Sequence, residues 1–333
     1  KQRQVEETFR RIAGLSRIPI AEIIPSPRPF GWRGKAEFHL AGGRKGHYRA
    51  GLMGGKSHEL IEIESCGVVE ASVNVKYDDF RKALRSRQVR PSGKRQVIWS
   101  DEPSESPTAV FTGPGAPPDV IRVVRGRRLT VPGRGFFQAN IALVGELVDQ
   151  VVDMCGLTGR ETVIDAFAGS GLFSLFLGPQ AAALTGIEGD REAVRCARIN
   201  LNRERIPQAG FLHGDVNVLL RNEFLDRRRT ANVILFDPPR EGCSNGALDA
   251  AASLHPDRIV YVSCNPATQA RDVRFLTGCG YVLRKLQPLD MFPQTAHVEV
   301  VALLIPAGSG GTAVDSSDAC GETAIPDSDF RVP

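Results

Sequence analysis

No apolar run in this chain approaches the roughly 20 residues needed to span a bilayer, and the opening KQRQVEETFRRIAGL is charged where a secretory signal would be apolar. The seven cysteines are scattered, odd in number and contain no C-x-x-C pair. That pattern argues against a disulfide framework and against a self-contained zinc site. There is no internal repeat either. The absences leave a soluble, cytoplasmic protein with reduced thiols as the expectation, and give the membrane no part in its function.

With 333 residues, 42% of them hydrophobic, the chain exceeds what one core usually organises, so about two domains plus short appendages are expected. Its net charge of +4 is unevenly spread. Residues 1–135 carry 25 Lys and Arg against 14 Asp and Glu, residues 136–306 carry 16 against 19, and the last 27 carry 1 against 5. Clustered positive charge suits a polyanion, because neutralising phosphates releases counterions. On charge alone, a solvated basic surface reads equally well.

Val5, Phe9 and Ile12 recur at helical spacing, predicting an amphipathic helix over 4–14. After the Pro-rich link IPSPRPF come short alternating segments: AEFHL, HYRAGLM, LIEIE, QVIWS, AVFTG, VIRVV and RRLTVP. With the turn AGGRKG and one helix, VKYDDFRKALRSR, they predict an antiparallel β-rich unit. From Pro132 the texture changes. The apolar segments TVIDAF, ALTGIE, GFLHGD, NVILFDPP and RIVYVSC alternate with helical patterns, before a final pair, YVLRKLQPL and VEVVALLI. Such repetition implies a parallel α/β sheet with helices on both faces, whose ligands bind at the carboxyl ends of the strands. The organisation expected is a helical arm (1–29) packing on the catalytic domain, a β-rich domain (30–131), an α/β domain (132–306) and a disordered acidic tail (307–333).

The first α/β strand runs into DAFAGSGLFSLFL, where Gly169 and Gly171 permit a tight turn beside a ligand and Asp165 supplies a carboxylate. Alone, that stretch reads as readily as a structural turn. The second strand, however, ends with Glu188, suited to two ribose hydroxyls, and the third with Asp215, placed for an adenine. Acidic residues closing three successive strands form the pattern expected for S-adenosylmethionine. The fourth strand ends FDPPREG, where two fixed φ angles stiffen the loop presenting Asp237.

Cys264 closes the fifth strand on the same edge, positioned to add to an electrophilic carbon. A helix starting near Pro266 is expected to lower its pKa from about 8.5. In the usual methyltransferase sheet the seventh strand inserts antiparallel beside the fifth, which brings Glu299, and His297 with it, near Cys264. Glu299 is then a candidate base; His297 reads as scaffold or binding residue.

Together GRGFFQAN (133–140), DAFAGSG, GIEGD, FDPPREG, VYVSCNPATQARD and DMFPQTAHVE resemble, in order and spacing, the RNA uracil-5-methyltransferase family, from residue 1 to about 305. The resemblance implies a Rossmann-like class I methyltransferase domain, seven-stranded with the last strand antiparallel, beside a smaller β-rich RNA-binding domain. It also implies S-adenosylmethionine-dependent methylation of C5 of a uridine in tRNA or rRNA. Gln138, Phe167, Glu188 and Asp237 would lie at the cofactor and target-base site, with Cys264 as nucleophile and Glu299 as general base. The target uridine should be single-stranded or flipped out of structured RNA, and no protein partner is evident.

Within RPFGWRGKAEFHL, Arg28, Arg33 and Lys35 offer cations for phosphate beside Phe30 and Trp32 for base stacking. Core packing is the competing reading for both rings and the favoured one for Phe38. Three departures stand out. Leu172 occupies a place where some members have a cofactor-contacting asparagine. Cys66 matches a fourth iron–sulfur ligand whose three partners are absent, so a cluster is not expected in this chain. The β-barrel preceding that cluster is missing too, so the chain should begin just after the cluster segment. The alternatives are a cytosine-C5 or exocyclic-amine methyltransferase, although Arg240 after the prolines speaks against the amine class, and an RNA-binding protein that has lost catalysis.

Overall fold

The computed structural model describes residues 1–42, 48–55, 59–89, 94–100, 110–111 and 118–308. Most of the AGGRKG turn, all of AVFTG but two residues, and the acidic tail beyond Gly308, with Cys320, lie outside the described residues. The chain opens with α1 (Gln2–Ile12), then β1 (Lys35–Gly42), β2 (Tyr48–Met53), β3 (Leu60–Glu62), α2 (Ala71–Arg85), β4 (Arg95–Trp99), β5 (Val110–Phe111) and the hairpin β6 (Val120–Val124) and β7 (Arg127–Val131). Next come α3 (Val144–Cys155), β8 (Thr162–Ala166), α4 (Leu172–Leu177), β9 (Ala183–Glu188), α5 (Arg191–Arg203), β10 (Ala209–His213), α6 (Val216–Leu219) and β11 (Val233–Phe236). It closes with α7 (Asn245–Ser253), β12 (Arg258–Ser263), α8 (Pro266–Gly278), β13 (Tyr281–Leu289) and β14 (Glu299–Pro306).

The large sheet runs β10-β9-β8-β11-β12-β14-β13, with only β14 opposed to its neighbours. Period-two alternation along the strands divides their side chains between two cores. Val163, Leu184, Leu235, Val262 and Val301 enter the core shared with α3, α4 and α5. Ile164, Ile187, Phe236, Tyr261 and Val300 enter the other, shared with α1, α7 and α8. Helix α1 starts two residues before the expected position and buries Val5 and Phe9 against α8. The link after it pairs with β13, Ala21 N donating to Leu286 O at 2.9 Å and Ile24 N to Pro288 O at 3.0 Å.

The small sheet, β3-β2-β1-β4-β5, is antiparallel and covered on one face by α2. There Phe38 and Tyr77 stack with centroids 3.8 Å apart. The β6–β7 hairpin does not join that sheet. Its Val120, Val124, Leu129 and Val131 pack into the core of the large sheet, together with Val97 and Trp99 of β4.

Arg122, fully buried on the hairpin, ties these parts together. Its guanidinium donates to Ser100 O (2.9 Å), Ser100 Oγ (3.0 Å) and Gly34 O (3.3 Å), and lies 5.2 Å from the Trp99 ring centroid. Truncation would strip charged hydrogen bonds from buried carbonyls, a loss of about 3 kcal/mol or more. Arg122→Ala is therefore expected to lower the free energy of unfolding, measured by denaturant titration, by that amount; a change below about 1 kcal/mol would show that the clamp is not a structural requirement.

Candidate active site

Asp165, Glu188, Asp237, Cys264 and Glu299 share more than an edge of the sheet. By strand alternation they all continue the rows that carry Val163, Leu184, Leu235, Val262 and Val301, so they gather on one face. Residue Glu299 opens β14, the strand that runs backwards, and therefore stands at the same edge as the carboxyl ends of the parallel strands. The register pairs Ser263 with Val300. One step further sets Cys264 across from Glu299.

Among these groups, Glu299 is only 2% exposed, while Cys264 is half-buried. Burial raises the Glu299 carboxyl well above the usual range, Asp237 adds to the rise and Arg240 opposes it. Asp237 is pushed up to about 8, by burial first and then by the charges of Asp165 and Glu188. Asp165 reaches about 7 through burial, opposed by the hydroxyl of Ser174, which donates to Oδ2 at 2.6 Å. Its other oxygen, Oδ1, is buried with no hydrogen-bond partner among the described residues.

The expected lowering of the Cys264 pKa is not what the structure gives. Helix α8 does start at Pro266, capped by Asn265. Burial nevertheless pushes the thiol up, the negative charge of Glu299 pushes it further, and Arg240 only opposes. Desolvation and a facing carboxylate outweigh one helix terminus.

Arg240 is the residue that sequence reasoning passed over: it served to reject an amine substrate and received no role. Its charge bears on Cys264, Glu299 and His297. Asn265 Nδ2 and Thr268 Oγ1 each donate to its carbonyl at 3.1 Å, so the start of α8 fixes the PPR loop. The signal was its place immediately after two stiff prolines. Exposed His297 has its pKa lowered by desolvation, then by Arg240 and Lys1, and its ring meets Phe292 edge-on at 6.1 Å.

The remaining expected residues sort by position. Buried Gln138 directs Nε2 to Asp237 Oδ2 at 3.5 Å. Phe167 adopts φ +64°, its ring 6.5 Å from that of Phe236. Glu188 accepts from Gly169 N (2.8 Å) and Asp190 N (2.7 Å), so the carboxylate organises the glycine turn. Asp215 is exposed and caps α6, accepting from Val218 N at 3.0 Å. Leu172 starts α4, almost wholly buried.

In the segment leading into β1, Trp32 is 1% exposed and meets Phe292 edge-on, which removes it as a free stacking platform. Arg28 lies 3.5 Å from Glu70. Arg33 is exposed, and its guanidinium pKa is lowered by desolvation, with the like charge of Arg240 adding to the shift. Lys35 turns inward, donating to the carbonyls of Arg134 and Gly135. Cys66 is half-buried, its backbone held on both sides by Asn74, and no cluster of three or more metal-ligating side chains occurs among the described residues. Two exposed rings flank the site segments: Phe30 at 58% and Phe136, within GRGFFQAN, at 74%. Phe136 also went unassigned from sequence, since an aromatic pair reads as core.

A seven-stranded sheet with its antiparallel strand inserted next to the last, and polar residues at the carboxyl edge, defines the class I methyltransferase fold. The described residues contain no helix long and apolar enough to cross a membrane. Residues 218–306 match the family described as tRNA (Uracil-5-)-methyltransferase. An uncharacterized RNA methyltransferase of Halalkalibacterium halodurans is 31% identical, over 91% of this chain and 77% of the relative. One from Gloeobacter violaceus is 32% identical with the same coverage. Among solved structures, a Pyrococcus abyssi tRNA (uracil-54, C5)-methyltransferase in complex with S-adenosyl-L-homocysteine superposes with a TM-score of 0.72 at 20% identity, over 91% of this chain and 82% of that one. The chain belongs to the RNA (uracil-5-)-methyltransferase family, enzymes that modify RNA using S-adenosylmethionine.

The raised carboxyls carry a pH signature. Free Asp237 would ionise near pH 3.9, whereas in the fold it holds its proton to about 8. The native state thus binds the extra proton, and its stability is full below about pH 4 and falls as pH rises through about 8. Asp237→Asn should raise the Tm of the ligand-free protein by at least about 3 °C at pH 8.5 and leave it unchanged at pH 4. Equal shifts at both pH values would refute the assignment.

Proposed function

We propose that this enzyme methylates C5 of a uridine in tRNA or rRNA through a covalent adduct on Cys264. The reading is carried by the opposition of Cys264 and Glu299 across β12 and β14, with Arg240 acting on both. The cofactor fits the crevice on charge and shape. Three carboxyls with raised pKa values leave the crevice short of positive charge, and the space beside Gly169, at φ +54°, is open. Glu188, Phe167, Gln138 and Asp237 would hold S-adenosylmethionine and the adjoining base, with Asp215 at the adenine end. When bound, the cofactor supplies an electrophilic methyl group on a cationic sulfur.

The chain's own residues then have distinct tasks. The Cys264 thiolate adds to C6 of the uracil, placing electron density on C5 and O4, and C5 takes the methyl group. Glu299 accepts the C5 proton, the C5–C6 double bond re-forms and the thiolate leaves. Arg240 favours the thiolate over the thiol. Asp237, with its proton retained to about pH 8, can donate to the base edge. A stacked base cannot meet a thiolate and a methyl donor together, so the uridine is single-stranded or flipped out. The small sheet, with Arg33, Phe30 and Phe136 at its junction with the crevice, is assigned to RNA.

RNA containing 5-fluorouridine should form a denaturation-stable adduct with the wild type in the presence of S-adenosylmethionine, and none with Cys264→Ala. On ordinary RNA, Glu299→Gln should lower turnover by about 10²–10⁴-fold while adduct accumulates. An adduct on C264A protein would show the wrong thiol; methyl label recovered as 5-methylcytidine would show the wrong base. Because the base must be ionised and its pKa is raised, the acid limb of the rate should lie well above pH 4.5. A limb at or below the usual carboxylate range would contradict the role of Glu299.

A further inference from the structure

The segment between β7 and α3 carries Gln138 to Asp237, yet it forms no helix and makes only an isolated bridge at Asn140. Its carbonyls need partners from elsewhere, and the small sheet provides them. Trp99 Nε1 donates to Gly133 O at 2.8 Å, and Gly34 N to Ala139 O at 3.0 Å. Between those two ties, the Lys35 ammonium donates to Gly135 O and reaches Arg134 O at 3.5 Å, while lying 4.8 Å from the Trp99 ring centroid. Downstream of this clamp the chain projects Phe136 outward, buries Phe137 and turns Gln138 inward.

We propose that Lys35 is a positioning residue for methyl transfer, clamping the Arg134 and Gly135 carbonyls so that Gln138 is held against Asp237. The proposal rests on reading the crevice as the active site. It also replaces the phosphate contact expected of Lys35 from sequence. Of the three ammonium protons, two are directed at carbonyls, and the charge rests over an indole face, so the group is committed inward.

Arg33 just before β1, Glu37 on it, and Arg122 from β6 on the same indole are the charges around it. Burial brings Lys35 down to about 8, with Glu37 opposing and Arg33 adding. The clamp should therefore loosen as pH rises past about 8, whereas a guanidinium in its place keeps its charge.

The test compares wild type, Lys35→Met and Lys35→Arg in three measurements: turnover at saturating RNA across pH, RNA affinity across salt, and amide exchange over residues 133–140. For K35M, turnover should fall about 10-fold or more while RNA affinity stays within about two-fold and its salt dependence is unchanged. Exchange should quicken in that segment alone. K35R should keep most of the turnover and sustain it to higher pH. Weaker RNA binding, with the salt slope reduced by about 1 and turnover unchanged, would return Lys35 to phosphate contact and overturn the clamp. Faster exchange throughout K35M would overturn it too, as a general loss of stability. Wild type without turnover would count against the functional reading, and the exchange arm would still decide the clamp.

Discussion

The crevice concentrates more acid than it can ionise. Asp165, Asp237, Glu299 and Cys264 are withdrawn from water at one edge of the sheet, and one guanidinium, that of Arg240, opposes the shifts of Glu299 and Cys264. Desolvation and mutual repulsion keep protons on groups that would shed them in water. A cation entering such a place makes ionisation of its neighbours cheaper. The ligand-free enzyme therefore holds Cys264 as a quiet thiol, and in the proposed reaction the positive charge of the methyl donor would also favour its thiolate.

The arrangement follows from the scaffold. Five parallel strands deliver their last side chains to one edge, alternation assigns them to one face, and the reversed β14 brings its first residue to the same place. The opposite face of the sheet is filled by α1, α7 and α8. The active face is completed by the segment at 132–140, and that segment depends on donors from the small sheet. The small sheet and the crevice are thus joined through main-chain carbonyls.

Much of this was legible in the residues themselves. The strands from TVIDAF to VEVVALLI were readable because apolar alternation and glycine turns are local, and the acidic ends stood out because strands seldom close on carboxylates by chance. The opposition of Cys264 and Glu299 followed once a reversed strand was placed beside the fifth. What escaped depended on tertiary surroundings. The helix at Pro266 is visible in sequence and pointed to an acidic thiol, whereas the burial and the distant carboxylate that reverse the effect are not. Lys35 reads as a phosphate cation in sequence, and Trp32 either as a stacking ring or as core, because neither the carbonyls of Arg134 and Gly135 nor the ring of Phe292 is near them in the chain. The β6–β7 hairpin shares its alternation with the small sheet, and only packing assigns it to the large one.

The most direct test is the ionisation of Cys264, followed by the pH dependence of its alkylation, with the other reactive thiols replaced. In the free protein the midpoint should exceed the ordinary value of about 8.5. It should fall by about one unit or more on binding a positively charged analogue of the methyl donor, and less on binding neutral S-adenosyl-L-homocysteine. A free-protein midpoint near or below 7, unmoved by either ligand, would contradict the account.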